Sequence, residues 1–130
     1  MKTLSLAAVL LAVSATFAQS CAQAAERLPY SPAAFAAAQK AGKSILIDIS
    51  APWCPTCRAQ APILGALEAE AKFKALVVFD VDFDSEKPVV RSFGANAQST
   101  LIAFKGATET ARSLGDSDPA RIAALLDTTL

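Results

Sequence analysis

The stretch Asp48-Ile49-Ser50-Ala51-Pro52-Trp53-Cys54-Pro55-Thr56-Cys57 reads as the end of an apolar strand that runs into a two-cysteine turn and then into a helix. Within the strand, Ser44-Ile45-Leu46-Ile47-Asp48-Ile49 is apolar on both alternating faces, as a central strand buried on each side must be. Beyond the turn, Ile63, Leu64, Leu67 and Ala71 recur at helical spacing. That spacing predicts a helix from Pro55 to about Lys72, with those residues facing the core and Arg58, Glu68 and Glu70 in water. Pro62 falls inside it, removes a backbone hydrogen bond and is expected to bend the axis. Two thiols at C-x-x-C spacing on a strand-to-helix turn can close a small disulfide ring and open it again. The spacing points to redox chemistry.

The roles of the two cysteines follow from where a helix begins. Unpaired backbone N–H groups and the helix dipole favour a thiolate at Cys54, which lowers its pKa and makes it the attacking sulfur. Cys57, one turn on and expected to be the more buried, would resolve the mixed disulfide. Pro55 stiffens the turn, and Thr56 adds no charge. Asp48 is the one carboxylate in an otherwise apolar strand, six residues before Cys54. Desolvation would raise its pKa and suit it to take a proton from Cys57 during resolution. Trp53 and Pro52 are expected at the surface beside the sulfurs, where they could grip a partner polypeptide. A structural zinc site needs about four ligands, and the chain has no histidine and no second cysteine pair.

Outward from this centre the chain alternates helix and strand. Residues 25–30 read as an extended lead-in, and Ser31-Pro32 as an N-cap with proline at the first helical position. A helix over Ala33–Lys40, anchored by Phe35, stops at Gly42. Leu76–Asp82 is a strand, whose acidic residues together with Asp84 lack the glycine and terminal Glu of a calcium loop. A short helix over Ser85–Phe93 ends at Gly94. Strands at Ser99–Phe104 and Thr108–Ser113 form a hairpin, and Asp118-Pro119 opens the final helix, with Ile122, Leu125 and Leu126 apolar. This order predicts an α/β sandwich with a central mixed sheet and helices on both faces.

The chain has 130 residues, 53% hydrophobic, with 12 basic and 12 acidic groups. Part of that apolar content reads as a leader. Lys2 precedes an apolar run over Leu4–Ala18, and Ala22-Gln23-Ala24 fits a signal-peptide cleavage site. The expected division is a signal peptide over 1–24 and one domain over 25–130. The run is short for a span of roughly 20 residues, so export to the periplasm is expected, with a membrane anchor facing the periplasm as the alternative. Export implies an oxidising compartment. Cleavage would remove Cys21 and leave a single cysteine pair. Near-zero charge without a basic run argues against nucleic-acid binding.

Several of these stretches together resemble the thioredoxin superfamily, over nearly all of residues 25–130. They are Ile45-Leu46-Ile47-Asp48 through Trp53-Cys54-Pro55-Thr56-Cys57, Ala61-Pro62-Ile63-Leu64, Val81-Asp82, Thr100-Leu101-Ile102-Ala103-Phe104-Lys105-Gly106, and Gly115. Within the superfamily the chain looks most like exported bacterial thiol–disulfide interchange proteins. The resemblance implies a thioredoxin-like three-layer sandwich and electron exchange with protein thiols and disulfides, with a membrane thiol carrier as a possible electron source. It implies no cofactor, and a monomer is expected. Cys54, Cys57 and Asp48 would be catalytic. Trp53, Pro55, Thr56 and the turn Gln98, Ser99, Thr100 would meet the substrate. Two departures stand out. Ser99 occupies the place of the family's cis-proline; a non-proline cis bond costs about 3–4 kcal/mol, so a trans Gln98–Ser99 peptide is expected. The lysine that many cytoplasmic members carry near the aspartate corresponds to Val78, which leaves Asp48 less compensated and more inclined to hold a proton. A potential nearer a reductant than a strong oxidant is expected. The alternative is a non-enzymatic thiol module that binds a soft metal or an iron–sulfur cluster through Cys54 and Cys57, with the Ser99 hydroxyl nearby.

Overall fold

Apolar residues buried on both faces make the strand Ser44–Ser50 the centre of the sheet. A computed structural model describes residues 24–130; the leader expected over 1–24 lies outside the described residues except for Ala24. The strands are β1 (Glu26–Pro29), β2 (Ser44–Ser50), β3 (Leu76–Asp82), β4 (Thr100–Lys105) and β5 (Thr108–Leu114). The helices are α1 (Pro32–Lys40), α2 (Pro55–Glu68), α3 (Lys87–Ser92) and α4 (Pro119–Asp127). The sheet order is β1-β3-β2-β4-β5. β1 and β2 run parallel to β3, whereas β4 is antiparallel to both β2 and β5. The result is the expected three-layer sandwich. The lead-in proves to be a fifth strand.

The two faces of the sheet build separate cores. Leu46, Val78, Leu101 and Ala103 pack with Leu64 and Leu67 of α2 and with Ile122, Leu125 and Leu126 of α4. On the opposite face, Ile45, Ile47, Ile49, Phe79 and Phe104 meet α1 and α3. Phe35 anchors α1 there, its ring 5.8 Å from Phe79 and 5.4 Å from both Phe93 and Phe104, each edge-on as aromatic quadrupoles prefer. The caps are as read. Ser31 Oγ accepts the Ala34 N–H, Asp118 Oδ1 accepts the Arg121 N–H, and Gly42 leaves α1 at φ +67°. No helix among the described residues is long and apolar enough to cross a membrane.

α2 departs from expectation at its end. It stops at Glu68, and a short 3-10 turn over Ala71–Phe73 follows. A helix continued through Lys72 to Phe73 would place Phe73 roughly opposite the middle of the buried stripe of that helix. The break resets the phase and buries Phe73 completely, while Ala71 is exposed. The buried stripe of α2 runs Cys57, Gln60, Leu64, Leu67, Glu68. Glu68, expected in water, is therefore buried.

Candidate active site

β2 ends at Ser50, and a turn closed by the Cys54 N–H on the Ala51 carbonyl (3.1 Å) delivers the chain to α2. Cys54 is the N-cap of that helix, and Pro55 takes the first helical position. Cys54 Sγ accepts the Cys57 backbone N–H at 3.0 Å, so the sulfur does the work a serine or aspartate oxygen does at other helix starts. The two cysteines are disulfide-bonded, with Cα atoms 5.3 Å apart. The expectation that Cys57 is the more buried is reversed. Cys54 is 1% exposed and Cys57 8%. Ala51 and Phe83 pack against the pair, and Ser99 approaches Cys54, whereas Cys57 borders an open groove.

Ser99 Oγ lies 3.2 Å from Cys54 Sγ and 3.5 Å from Cys57 Sγ. The Gln98–Ser99 peptide is trans, as expected from its missing proline. Ser99 adopts φ +59°, a left-handed conformation that costs a residue with a Cβ roughly 1–2 kcal/mol. Thr100, expected on the substrate side, instead braces the turn; it is buried and its Oγ1 donates to the Ala97 carbonyl at 2.7 Å. Gln98 and Thr56 are half-buried and Pro55 is exposed. Trp53 is 53% exposed, and its indole Nε1–H donates to Asp84 Oδ2 at 2.6 Å.

Asp48 lies at the floor of a groove of about 540 Å³ whose lining includes Cys57, Arg58, Arg27, Glu68 and Asp80. Arg27 corrects the expectation that Asp48 lacks a compensating cation. Its Nη1 is 3.1 Å from Asp48 and also pairs with Asp80, while Nη2 is 2.6 Å from Glu68. The reason is register. Arg27 on β1 lies beside Val78 on β3, so the charge absent at Val78 is supplied from the adjacent strand. Burial pushes the Asp48 carboxyl up, and Arg27 pulls it only part of the way back. Asp80 is raised for the same reason. Burial disfavours the charge on Arg27 itself, yet the Glu68 hydrogen bond and three neighbouring carboxylates hold it firmly protonated. One cation among three carboxylates leaves an excess of negative charge, and burial makes Asp48 bind a proton more tightly than a free carboxylate does.

Arg27→Met keeps the apolar stem and removes the charge. It is expected to move the Asp48 titration further upward and to cost roughly 1–3 kcal/mol of stability at neutral pH, discounted because the guanidinium is about a third exposed. The deficit should shrink at acid pH, where Asp48 and Asp80, both raised, take up protons and the attraction to Arg27 is lost. Urea unfolding at both pH values checks this, and equal stability of the two proteins at neutral pH would remove Arg27 from the account.

The structure thus brings Cys54, Cys57 and Ser99 into contact and opens Cys57 and Asp48 onto one groove. Sequence reasoning missed Arg27, Glu68 and Gln60. Gln60 Nε2 donates to the Asp116 carbonyl at 2.7 Å and lies 3.5 Å from the Ser99 carbonyl. A polar residue three positions after Cys57 on the buried stripe was its legible signal. Arg27 had none until β1 was known to pair with β3.

The thioredoxin family model matches residues 26–128. A thioredoxin of Chlamydia muridarum is 38% identical over 74 residues, which are 57% of this chain and 71% of that protein. Among solved structures, Trxlp from Edwardsiella tarda EIB202 is similar at 39% identity and a TM-score of 0.76, over 78% of this chain and 98% of its own. The thioredoxin of Malassezia sympodialis is alike in fold, with a TM-score of 0.71 at 21% identity over 82% of this chain and 91% of that one. The family match spans the sheet, all four helices and the cysteine pair: the chain belongs to the thioredoxin family and is a thiol–disulfide oxidoreductase.

Proposed function

We propose that the protein exchanges electrons with the thiols and disulfides of other polypeptides in the periplasm, at a potential nearer a reductant than a strong oxidant. The observation that carries this reading is Cys54 at the start of α2, its sulfur already accepting an N–H and bonded to Cys57. In the reductive direction the Cys54 thiolate attacks a partner disulfide, forming a mixed disulfide and releasing one partner sulfur as a thiolate. Cys57 then gives its proton to Asp48 and attacks Cys54 Sγ. The second partner sulfur leaves, and the ring closes. Two electrons pass to the partner, and an external thiol source, a membrane carrier in this proposal, restores the dithiol. In this reading a partner chain lies against Trp53, Pro55, Thr56, Gln98 and Ser99, with Thr100 holding the turn from behind. The protein acts as a monomer, exported by a cleaved leader or held at the membrane by it.

Metal-free protein should reduce insulin disulfides with dithiothreitol as the source. A redox titration against glutathione should place it well below the strongly oxidising disulfide catalysts. No turnover, together with stoichiometric metal binding that Cys54→Ala abolishes, would replace this reading with a thiol metal module.

A further inference from the structure

Ser99 Oγ lies within hydrogen-bond reach of both sulfurs, and it holds that place in a backbone conformation that serine disfavours. Such a conformation persists only where the surroundings enforce it. Here three restraints do so. The Gly115 N–H donates to the Ser99 carbonyl at 2.9 Å, Gln60 of α2 approaches the same oxygen while holding Asp116, and Thr100 ties the loop to Ala97. Ser99 is 4% exposed, so water does not compete freely for its hydroxyl. Neither sulfur of a disulfide carries a proton. The hydroxyl, with its single proton, is therefore the donor, and Cys54 Sγ is the nearer acceptor.

We propose that Ser99 is a further catalytic residue of this site: its hydroxyl donates to Cys54 Sγ and stabilises that sulfur as the thiolate. The inference rests on the oxidoreductase reading and deepens it. A disulfide sulfur accepts hydrogen bonds weakly, whereas a bond to an ion is roughly twice as strong as one between neutral groups. The same hydroxyl therefore favours the reduced state over the oxidised one. Together with the Cys57 N–H and the start of α2 it gives the thiolate three stabilising partners, all fixed before reduction. The consequence is a bias in the equilibrium in which the disulfide and two glutathione thiols yield the dithiol and glutathione disulfide. Stabilising the left-over thiolate draws that exchange toward the dithiol, so Ser99 makes the protein a weaker reductant than the same fold without the hydroxyl.

Ser99→Ala and Ser99→Gly separate the hydroxyl from the backbone. Both lack the donor, but only glycine relieves the left-handed strain. Ultraviolet thiolate absorbance of the reduced proteins should show the Cys54 midpoint raised by about one pH unit in both variants. The glutathione equilibrium should shift about tenfold toward the disulfide in both, about 30 mV more negative. Thermal unfolding should distinguish them, with the glycine protein the more stable. Wild-type titration and potential in both variants would overturn the proposal. So would a shift confined to Ser99→Gly, which would assign the effect to the relieved backbone rather than to the lost hydroxyl. A wild-type protein that never equilibrates with glutathione would sink the oxidoreductase reading, and this inference with it, before any variant is compared.

Discussion

Cys57→Ser protein, reduced and mixed with a disulfide-bearing polypeptide, is expected to accumulate as a mixed disulfide through Cys54, whereas Cys54→Ser is expected to form none. The difference follows from the start of α2. Cys54 Sγ already receives the Cys57 N–H and faces Ser99 Oγ, so its thiolate is prepared to attack. A serine oxygen at either position is a far weaker nucleophile at neutral pH. Without Cys57 the intermediate has no internal thiol to release it. Each single change should lower disulfide turnover on the order of 10³-fold or more, and the double change should cost little beyond that, because the pair acts as a unit. Non-reducing electrophoresis after acid quenching reads the trapped species. Burial makes the assignment a real test, since Cys54 is the less exposed sulfur and Cys57 the one on the groove. If Cys54→Ser traps partners and Cys57→Ser does not, the roles are exchanged.

Asp48→Asn is expected to stabilise the protein while slowing resolution of the mixed disulfide about 10²-fold. Burial raises the Asp48 carboxyl above its ordinary range despite the Arg27 contact. Between the unfolded pKa and that raised value the native state binds more protons than the unfolded chain, so stability falls as pH rises through the window. The penalty grows across that window and is present in full above the raised value, at about 1.4 kcal/mol for each unit of elevation. Below the unfolded value it vanishes, because the carboxyl is protonated in both states. Asparagine has nearly the same shape and no charge to desolvate, and Arg27 keeps Glu68 and Asp80. The gain should therefore be seen at pH 7 and disappear near pH 3. Quenched-flow resolution rates against pH should lose the inflection due to Asp48. An unchanged pH profile in the variant would mean that the Cys57 proton leaves by another route.

Those expectations show where the chain was legible. β2, α2 and the cysteine turn could be read because apolar alternation, helical spacing and a helix-start proline are local properties. The strands and helices around them followed for the same reason. The electrostatics did not. Arg27 reaches Asp48 only because β1 lies beside β3 in a register that puts it next to Val78, and pairing between distant segments leaves no local mark. Glu68 was placed in water for its charge; it is buried on the inner stripe of α2 because Arg27 of the first strand pairs with it, and α2 itself ends sooner than expected so that Phe73 can enter the core. Ser99 was visible as a substitution at a known turn, but its left-handed backbone and its reach to both sulfurs depend on Gly115 and Gln60, which come from other elements.

Arg27 lies in the first strand, and the Ala25 N–H just before that strand donates to the Glu68 carbonyl. Residues 25–27 thus hold one wall of the groove and provide its counter-charge. The cut proposed after Ala24 would leave this anchor whole, whereas trimming past Arg27 would strip the positive charge from beneath an otherwise complete cysteine turn. In that proposal, accurate maturation and proton transfer would depend on the same few residues. A preparation with a ragged N-terminus would be expected to contain two populations with different acid–base behaviour, even though both carry the same disulfide.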